Sequence, residues 1–73
     1  MSDTDTIRAH LDRPGRRTEA LPVFAKTRLG IVKVGNATTS DEADVQGLSH
    51  GIRCEKISRA TLQGDDRPFF VLR

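Results

Sequence analysis

A helix start signal at Thr39 constrains the fold of this chain more than any other feature of its sequence. Thr39 is followed three residues later by Glu42, the spacing at which the two side chains satisfy backbone N–H groups at a helix start. Acidic residues crowd the turn that follows, where the helix dipole favours negative charge. Gly51 suits a left-handed C-terminal cap. The pattern predicts a helix over about 40–50.

Apolar residues recur at helical steps in and just after this segment. Val45, Leu48 and Ile52 are three and four residues apart, so they predict the face that packs on the rest of the domain. Gly47 costs the helix roughly 1 kcal/mol relative to alanine. Its lack of a side chain also allows a close approach to a sheet.

A second, shorter helix is predicted near the N-terminus. Ile7 and Leu11 stand four residues apart on one helical face, and we expect a short helix with Asp5 or Thr6 as its cap. Pro14–Gly15 ends it, because proline cannot continue a helix and glycine accepts turn geometry. Residues 1–6 are polar and are expected to be flexible.

The segment 23–34 is rich in Val, Ile and Phe and favours extended chain. Its alternation of apolar residues breaks, so one face cannot stay buried throughout. Gly30 is the position that best accepts a bulge or a turn. One bent strand and a tight hairpin through Arg28 and Gly30 are therefore both open.

The C-terminal part of the chain predicts a second hairpin. Residues 52–62 suit a strand or a helical stripe, and we favour a strand with an irregularity near Lys56 or Ser58. A loop of about five residues rich in turn formers leads to the aromatic and β-branched run 68–72. Pro68 at the start of this run indicates an edge strand.

These elements predict one small α+β domain over residues 1–73. A mostly antiparallel sheet of three or four strands packs one face on the main helix, and the short N-terminal helix completes the fold. Alternation places Phe69 and Phe70 on opposite faces, so one of them points away from the main helix. The N-terminal helix covers that residue, a second molecule covers it, or it is partly exposed.

Several classes of protein and site are excluded by the residue inventory. Cys54 is the only cysteine, so a secreted disulfide scaffold is excluded and a cytoplasmic protein is expected. No apolar run approaches the length of a membrane span, and the N-terminus has no signal-peptide pattern. His10, His50 and the thiol cannot complete a tetrahedral zinc site without a carboxylate or a second chain. We therefore predict no enzyme activity, no metal, no cofactor and no membrane contact.

Charge is segregated along the chain, although the net charge is only +2. Residues 13–33 contain six basic residues and one acidic residue, whereas residues 36–51 contain three acidic residues and no Lys or Arg. A two-signed surface of this kind complements a charged partner. The predicted partner-binding residues are Arg16, Arg17, Lys26, Arg28, Lys33, Arg53, Arg59, Phe69 and Phe70.

A small domain without catalytic groups indicates a non-enzymatic interaction module, such as an inhibitor, an adaptor or a small subunit. In size and in element order, residues 23–72 resemble the small phage-encoded inhibitors that include anti-CRISPR proteins, without a shared motif. The resemblance implies a partner that is a larger protein or ribonucleoprotein complex handling nucleic acid. One alternative is a small basic domain that contacts nucleic acid directly. Another is a homodimer that pairs residues 68–72 at a sheet edge.

Overall fold

Two helices flank one four-stranded sheet in the computed structural model, which describes residues 3–12 and 20–73. In chain order the elements are α1 (Asp3–Leu11), β1 (Leu21–Thr27), β2 (Gly30–Ala37), α2 (Ser40–Ser49), β3 (Ile57–Thr61) and β4 (Pro68–Leu72). The strand order is β2-β1-β4-β3. The two hairpins β1–β2 and β3–β4 are antiparallel, and the central strands β1 and β4 run parallel. The predicted α+β class and mostly antiparallel sheet are confirmed.

The segment from β1 to β2 is a tight hairpin, which decides between the two alternatives left open by the sequence. Gly30 has a φ of 111°, in the region that favours glycine. The Thr27 hydroxyl donates to the Gly30 carbonyl at 2.6 Å and accepts from the Leu29 N–H at 3.2 Å. The register shifts opposite Val23 and Phe24. This bulge, together with the turn, accounts for the broken alternation.

Helix α2 lies where the capping signals predict it. The Thr39 side chain accepts a hydrogen bond from the Glu42 N–H at 3.2 Å. The Glu42 carboxylate accepts from the N–H and the hydroxyl of Thr38, both at 2.9 Å. In a capping box the Glu42 carboxylate would accept from the N–H of the cap residue Thr39. Here it accepts from Thr38, the residue before the cap. At the other end Gly51 adopts a φ of 72° and closes the helix.

The face that α2 buries differs from the predicted one. Ala43 and Gly47 are buried, whereas Val45 and Leu48 are exposed. The helix lies so close to the sheet that only small residues fit beneath it. A Cβ atom on Gly47, for example, would collide with the buried Leu72 side chain of β4. The large apolar residues therefore lie on the outside of the helix.

Each face of the sheet carries its own apolar cluster. The cluster beneath α2 contains Leu21, Val23, Ala25, Val34, Ala37, Ala43, Phe70 and Leu72. The cluster beneath α1 contains Ile7, Leu11, Phe24, Leu62, Phe69 and Val71. The rings of Phe24 and Phe69 meet edge to face with centroids 5.6 Å apart. Phe69 and Phe70 do lie on opposite faces, and the N-terminal helix covers the cluster that contains Phe69.

The predicted edge position of residues 68–72 is wrong, because β4 lies between β1 and β3. Pro68 pairs with Thr61 of β3, and pairing with β1 begins only at Phe70. The N–H group that proline lacks is therefore not needed for the parallel ladder. Since both edges of β4 are occupied, a homodimer that pairs residues 68–72 is incompatible with this fold.

Helix α1 begins earlier than the sequence indicates. Residues 3–6 are helical rather than flexible, and an Asp3 carboxylate oxygen accepts from the Ile31 N–H of β2 at 3.0 Å. This bond holds the first turn of α1 against the sheet. Ile7 and Leu11 are buried, as predicted. The predicted stop at Pro14–Gly15 lies outside the described residues.

Arg67 fastens the C-terminal end of α1 to the β3–β4 loop. Its guanidinium binds the Asp65 carboxylate through two N–H groups, with Nε–Oδ1 at 3.0 Å and Nη2–Oδ2 at 2.6 Å. Nη1 donates to the Leu11 carbonyl at 3.0 Å and lies 2.8 Å from Asp12 Oδ1. The hydrogen bonds from Arg67 hold the pKa of Asp65 well below its ordinary value.

Candidate functional site

The predicted basic residues do not form a single surface. Lys26 and Arg28 lie at the end of β1 and in the following turn, Lys33 on β2, Arg53 between α2 and β3, and Arg59 on β3. All of these except the half-buried Lys33 are exposed. Arg16 and Arg17 lie outside the described residues.

The two phenylalanines predicted to bind a partner are buried in the protein itself. Phe69 is 3% exposed and Phe70 is 6% exposed. Each belongs to one of the two apolar clusters, because β4 is a central strand with a packed layer on both sides. Neither ring is therefore available to a partner in this fold.

The single thiol lies against a carboxylate, which disfavours a second negative charge on the sulfur. Cys54 Sγ donates to Asp44 Oδ1 at 3.4 Å, and desolvation followed by this carboxylate raises the pKa of the thiol. A raised pKa disfavours the nucleophilic thiolate. His50 caps α2, with Nδ1 3.0 Å from the Gln46 carbonyl oxygen. Within residues 3–12 and 20–73, no group of three His, Cys, Asp or Glu residues is placed to hold a metal ion.

An exposed apolar pair lies on the outside of α2. Val45 is 59% exposed and Leu48 is 55% exposed, and their spacing of three residues makes them neighbours on the helix surface. An open depression of about 270 Å³ lies beside them, lined by Asp41, Glu42, Val45 and Gln46. We call the surface formed by Asp41, Glu42, Val45 and Leu48 the α2 outer face.

Negative charge surrounds this apolar pair. Hydrogen bonds from Thr38 lower the pKa of Glu42, so its carboxylate stays ionised at neutral pH. Asp41 is exposed, and its side chain makes no hydrogen bond or ion pair with the residues that the structure describes. The α2 outer face therefore offers apolar contact area beside a free carboxylate, which suits a partner whose apolar groups are flanked by Lys or Arg.

Four basic residues gather at one end of the sheet. The N–H of Arg73 donates to the Lys56 carbonyl at 2.8 Å and the N–H of Lys56 donates back at 3.0 Å, so the β3–β4 ladder extends by one pair. Ala25 and Leu72 are partners in the β1–β4 register, which places Lys26 beside Arg73. Arg28 follows in the turn. We call Lys26, Arg28, Lys56 and Arg73 the basic end.

Sequence reasoning found only part of these two surfaces. The sequence predicts that Lys26 and Arg28 bind a partner, but Lys56 and Arg73 join them only through the strand register. The helical spacing of Val45 and Leu48 predicts that they pack in the core, whereas the structure exposes them. The signal that could have revealed their exposure is the spacing of Ala43 and Gly47, four residues apart on one helical side.

Neither helix in the described part of the chain is long and apolar enough to cross a membrane. Comparisons with protein-family models, curated proteins and solved structures found no match for this chain.

Proposed function

We propose that this protein is a non-enzymatic binding module that docks on a larger protein complex through the α2 outer face. The observation that carries the proposal is the outward position of Val45 and Leu48 on a helix that buries Ala43 and Gly47. Burial of a valine or leucine side chain contributes roughly 1.5–3 kcal/mol. Val45 and Leu48 are exposed in this fold and therefore do not contribute this free energy to its stability. An exposed apolar patch with a polar rim is typical of an interaction site.

The acidic rim favours a partner with a basic surface. Asp41 and Glu42 add negative charge beside the apolar pair. Surfaces that bind nucleic acid are rich in Lys and Arg, so a complex that handles nucleic acid presents the complementary charge. A module that covers such a surface is an inhibitor if it displaces nucleic acid and an adaptor if it does not. This supports the same partner class as the resemblance to phage-encoded inhibitors.

A cytoplasmic location is part of the proposal. Cys54 has no disulfide partner in the chain, and a small domain without a disulfide is typical of a reducing compartment.

Affinity capture with matched variants tests the proposal. Tagged wild-type protein and the double variant Val45→Ser/Leu48→Ser are incubated with lysate of the source cells, and bound proteins are quantified by mass spectrometry. The control is Leu29→Ser/Val32→Ser, which removes the exposed apolar residues of the β1–β2 hairpin instead. We expect the wild type and the control to capture one partner complex. The α2 variant should capture at least about tenfold less of that complex.

A charge variant tests the acidic rim separately. Asp41→Lys is compared with Asp66→Lys, since Asp66 is an exposed carboxylate in the β3–β4 loop, outside the α2 outer face. Asp41→Lys should weaken capture and Asp66→Lys should not. Circular dichroism confirms that each variant is folded. Equal capture by the wild type and both α2 variants would reject the α2 outer face as the docking surface.

A further inference from the structure

We infer that the basic end is a binding site for the phosphate backbone of a nucleic-acid duplex. Three of its residues form a row across three strands. Lys56 and Arg73 are hydrogen-bonded partners at the end of the β3–β4 ladder, and the β1–β4 register sets Lys26 beside Arg73. Neighbouring strands are about 4.8 Å apart, so the backbones at Lys26 and Lys56 are separated by roughly 10 Å.

The row faces one side of the sheet. Lys26 is two residues after Phe24, and Arg73 is two residues after Val71, so each lies on the same face of the sheet as that buried residue. Phe24 and Val71 both belong to the cluster beneath α1. Residues that exchange both ladder hydrogen bonds lie on the same face, so Lys56 points the same way as Arg73. The three cations thus line the end of the sheet on the side that α1 covers further along. Arg28 adds a fourth cation in the adjoining turn.

These cations are free to bind an external anion. All four are exposed, and none makes a side-chain hydrogen bond or an ion pair with residues 3–12 or 20–73. Arg67, in contrast, is fully engaged with Asp65, Asp12 and the end of α1. The basic end is therefore not part of the network that holds the fold.

Two carboxylates lie close to the row. Asp3 is engaged by the Ile31 N–H. Glu55 precedes Lys56 in the chain and is exposed, without an ion pair in the described part of the protein. Neither carboxylate forms an ion pair with the four cations of the basic end.

The composition of the basic end favours a phosphate backbone over a protein partner or a single strand. Protein interfaces are centred on aromatic or apolar anchors. The three phenylalanines, the only Phe, Tyr or Trp residues in the chain, are all buried, and the exposed Leu29 lies in the turn beside Arg28, outside the row of Lys26, Arg73 and Lys56. Single-strand binding also depends on stacking of bases on exposed aromatic rings. A regular line of backbone anions needs only cations in a row. The geometry therefore points to sequence-independent contact with a duplex.

This site is separate from the α2 outer face and shares no residue with it. If both operate, the module holds a protein by α2 and the nucleic acid of the same complex by the basic end, which makes it an adaptor. The two proposals are tested with different variants and different ligands, so either can fail alone.

The test is fluorescence anisotropy of the full chain with a short labelled DNA duplex of mixed sequence, titrated at several salt concentrations. The slope of the logarithm of the association constant against the logarithm of the salt concentration changes by about −0.9 for each phosphate neutralised. Four contacts therefore predict a slope of about −3.6 and a loss of roughly 150-fold in affinity for a fourfold rise in salt. Binding should be independent of duplex sequence.

Charge-matched variants locate the contacts. Lys56→Gln and Arg73→Gln should each reduce the magnitude of the slope by about 0.9, and the fourfold variant that also changes Lys26 and Arg28 to Gln should abolish binding. The controls are Arg53→Gln and Arg59→Gln, which remove equally exposed and unpaired charges outside the row. These controls should retain the slope of the wild type.

Three results would overturn the inference. The first is the absence of duplex binding at low salt. The second is an equal loss of binding in the controls, which would indicate diffuse attraction by net charge. The third is tighter binding of a single strand of the same sequence, or capture of an acidic protein through these four residues without duplex binding.

Discussion

Gly47 of α2 lies directly over Leu72 of β4. A Cβ atom at Gly47 would come within 2.5 Å of Leu72 Cδ1, closer than carbon atoms pack. Leu72 is almost completely buried, so it has no solvent to move into. This contact sets the height of the helix above the sheet and turns Val45 and Leu48 away from the core.

Gly47→Ala should destabilise the protein, although alanine is the better helix former. The substitution gains about 1 kcal/mol in helix propensity but overpacks the core, which costs about 1–3 kcal/mol. We expect a net loss of up to about 2 kcal/mol in the free energy of unfolding, measured in urea. In a Leu72→Ala background the same change should be neutral or stabilising.

Gly51→Ala is the control for this cycle. Nothing lies within 4 Å of a Cβ at Gly51, and its φ is 72°, so alanine there introduces backbone strain of about 1–2 kcal/mol and no collision. Its cost should be the same with Leu72 or Ala at position 72. A Gly47→Ala variant more stable than the wild type would show that α2 is not pressed against β4.

Loss of the exposed apolar pair should leave the fold intact. Val45→Ser/Leu48→Ser should change the free energy of unfolding by less than about 1 kcal/mol, because each is an exposed helix position. Ala43→Leu, on the buried side of the same helix, should cost about 1–3 kcal/mol. Thermal unfolding followed by circular dichroism compares the two. The reverse order of effects would mean that Val45 and Leu48 belong to the core.

The contribution of Asp65 to stability should be complete above its ordinary titration range and should decline in acid. Its pKa is lowered in the folded protein by the hydrogen bonds from Arg67, so the unfolded chain binds a proton at a higher pH than the folded one. The stabilisation is complete above the ordinary pKa of 3.8 and is lost as the pH falls through and below that value. Asp65→Asn should be less stable at neutral pH and should show a flatter decline in acid.

Asp66→Asn is the matched control for this pH dependence. Asp66 is the next residue in the loop, is exposed, and makes no hydrogen bond or ion pair with the described residues. Urea midpoints measured across acid pH should coincide for Asp66→Asn and the wild type. A parallel decline in Asp65→Asn would contradict the role assigned to the Asp65–Arg67 pair.

Removal of the helix cap should weaken α2 at its start. Thr39→Ala leaves the Glu42 N–H without its side-chain acceptor and should cost about 1 kcal/mol in the free energy of unfolding. Ser40→Ala, one position inside the helix, should cost less because Ser40 makes no such bond in the described structure. Equal costs in urea unfolding would show that the Thr39 hydroxyl does not cap α2.

Local chemistry made the ends of α2 and the loop of the second hairpin predictable. Thr39, Glu42 and Gly51 each satisfy or permit a specific backbone arrangement within a few residues, and the structure shows those arrangements. Gly64, in the β3–β4 loop, has a φ of 79° for the same reason. Signals of this kind depend on neighbours in sequence and therefore need no knowledge of the fold.

Long-range relationships were not predictable. The parallel pairing of β4 with β1 joins segments far apart in sequence, and Pro68 alone indicated an edge. The face of α2 depends on its distance from the sheet, so Ala43 and Gly47 displaced the larger residues from the core. Lys56 and Arg73 join Lys26 only through the register of three strands. The sequence does not show which strands pair or in which register, and further local signals would not supply that information.

Site-specific photo-crosslinking in source cells tests the binding account most directly. A photo-reactive amino acid is placed at Ser49, an exposed position beside Val45, and in a control at Gln63, an exposed residue of the β3–β4 loop. The account predicts one heavier partner crosslinked from position 49, not from position 63, and lost when Val45 and Leu48 are changed to Ser. No product from position 49, or only a species of twice the chain mass of 8.1 kDa, would contradict it.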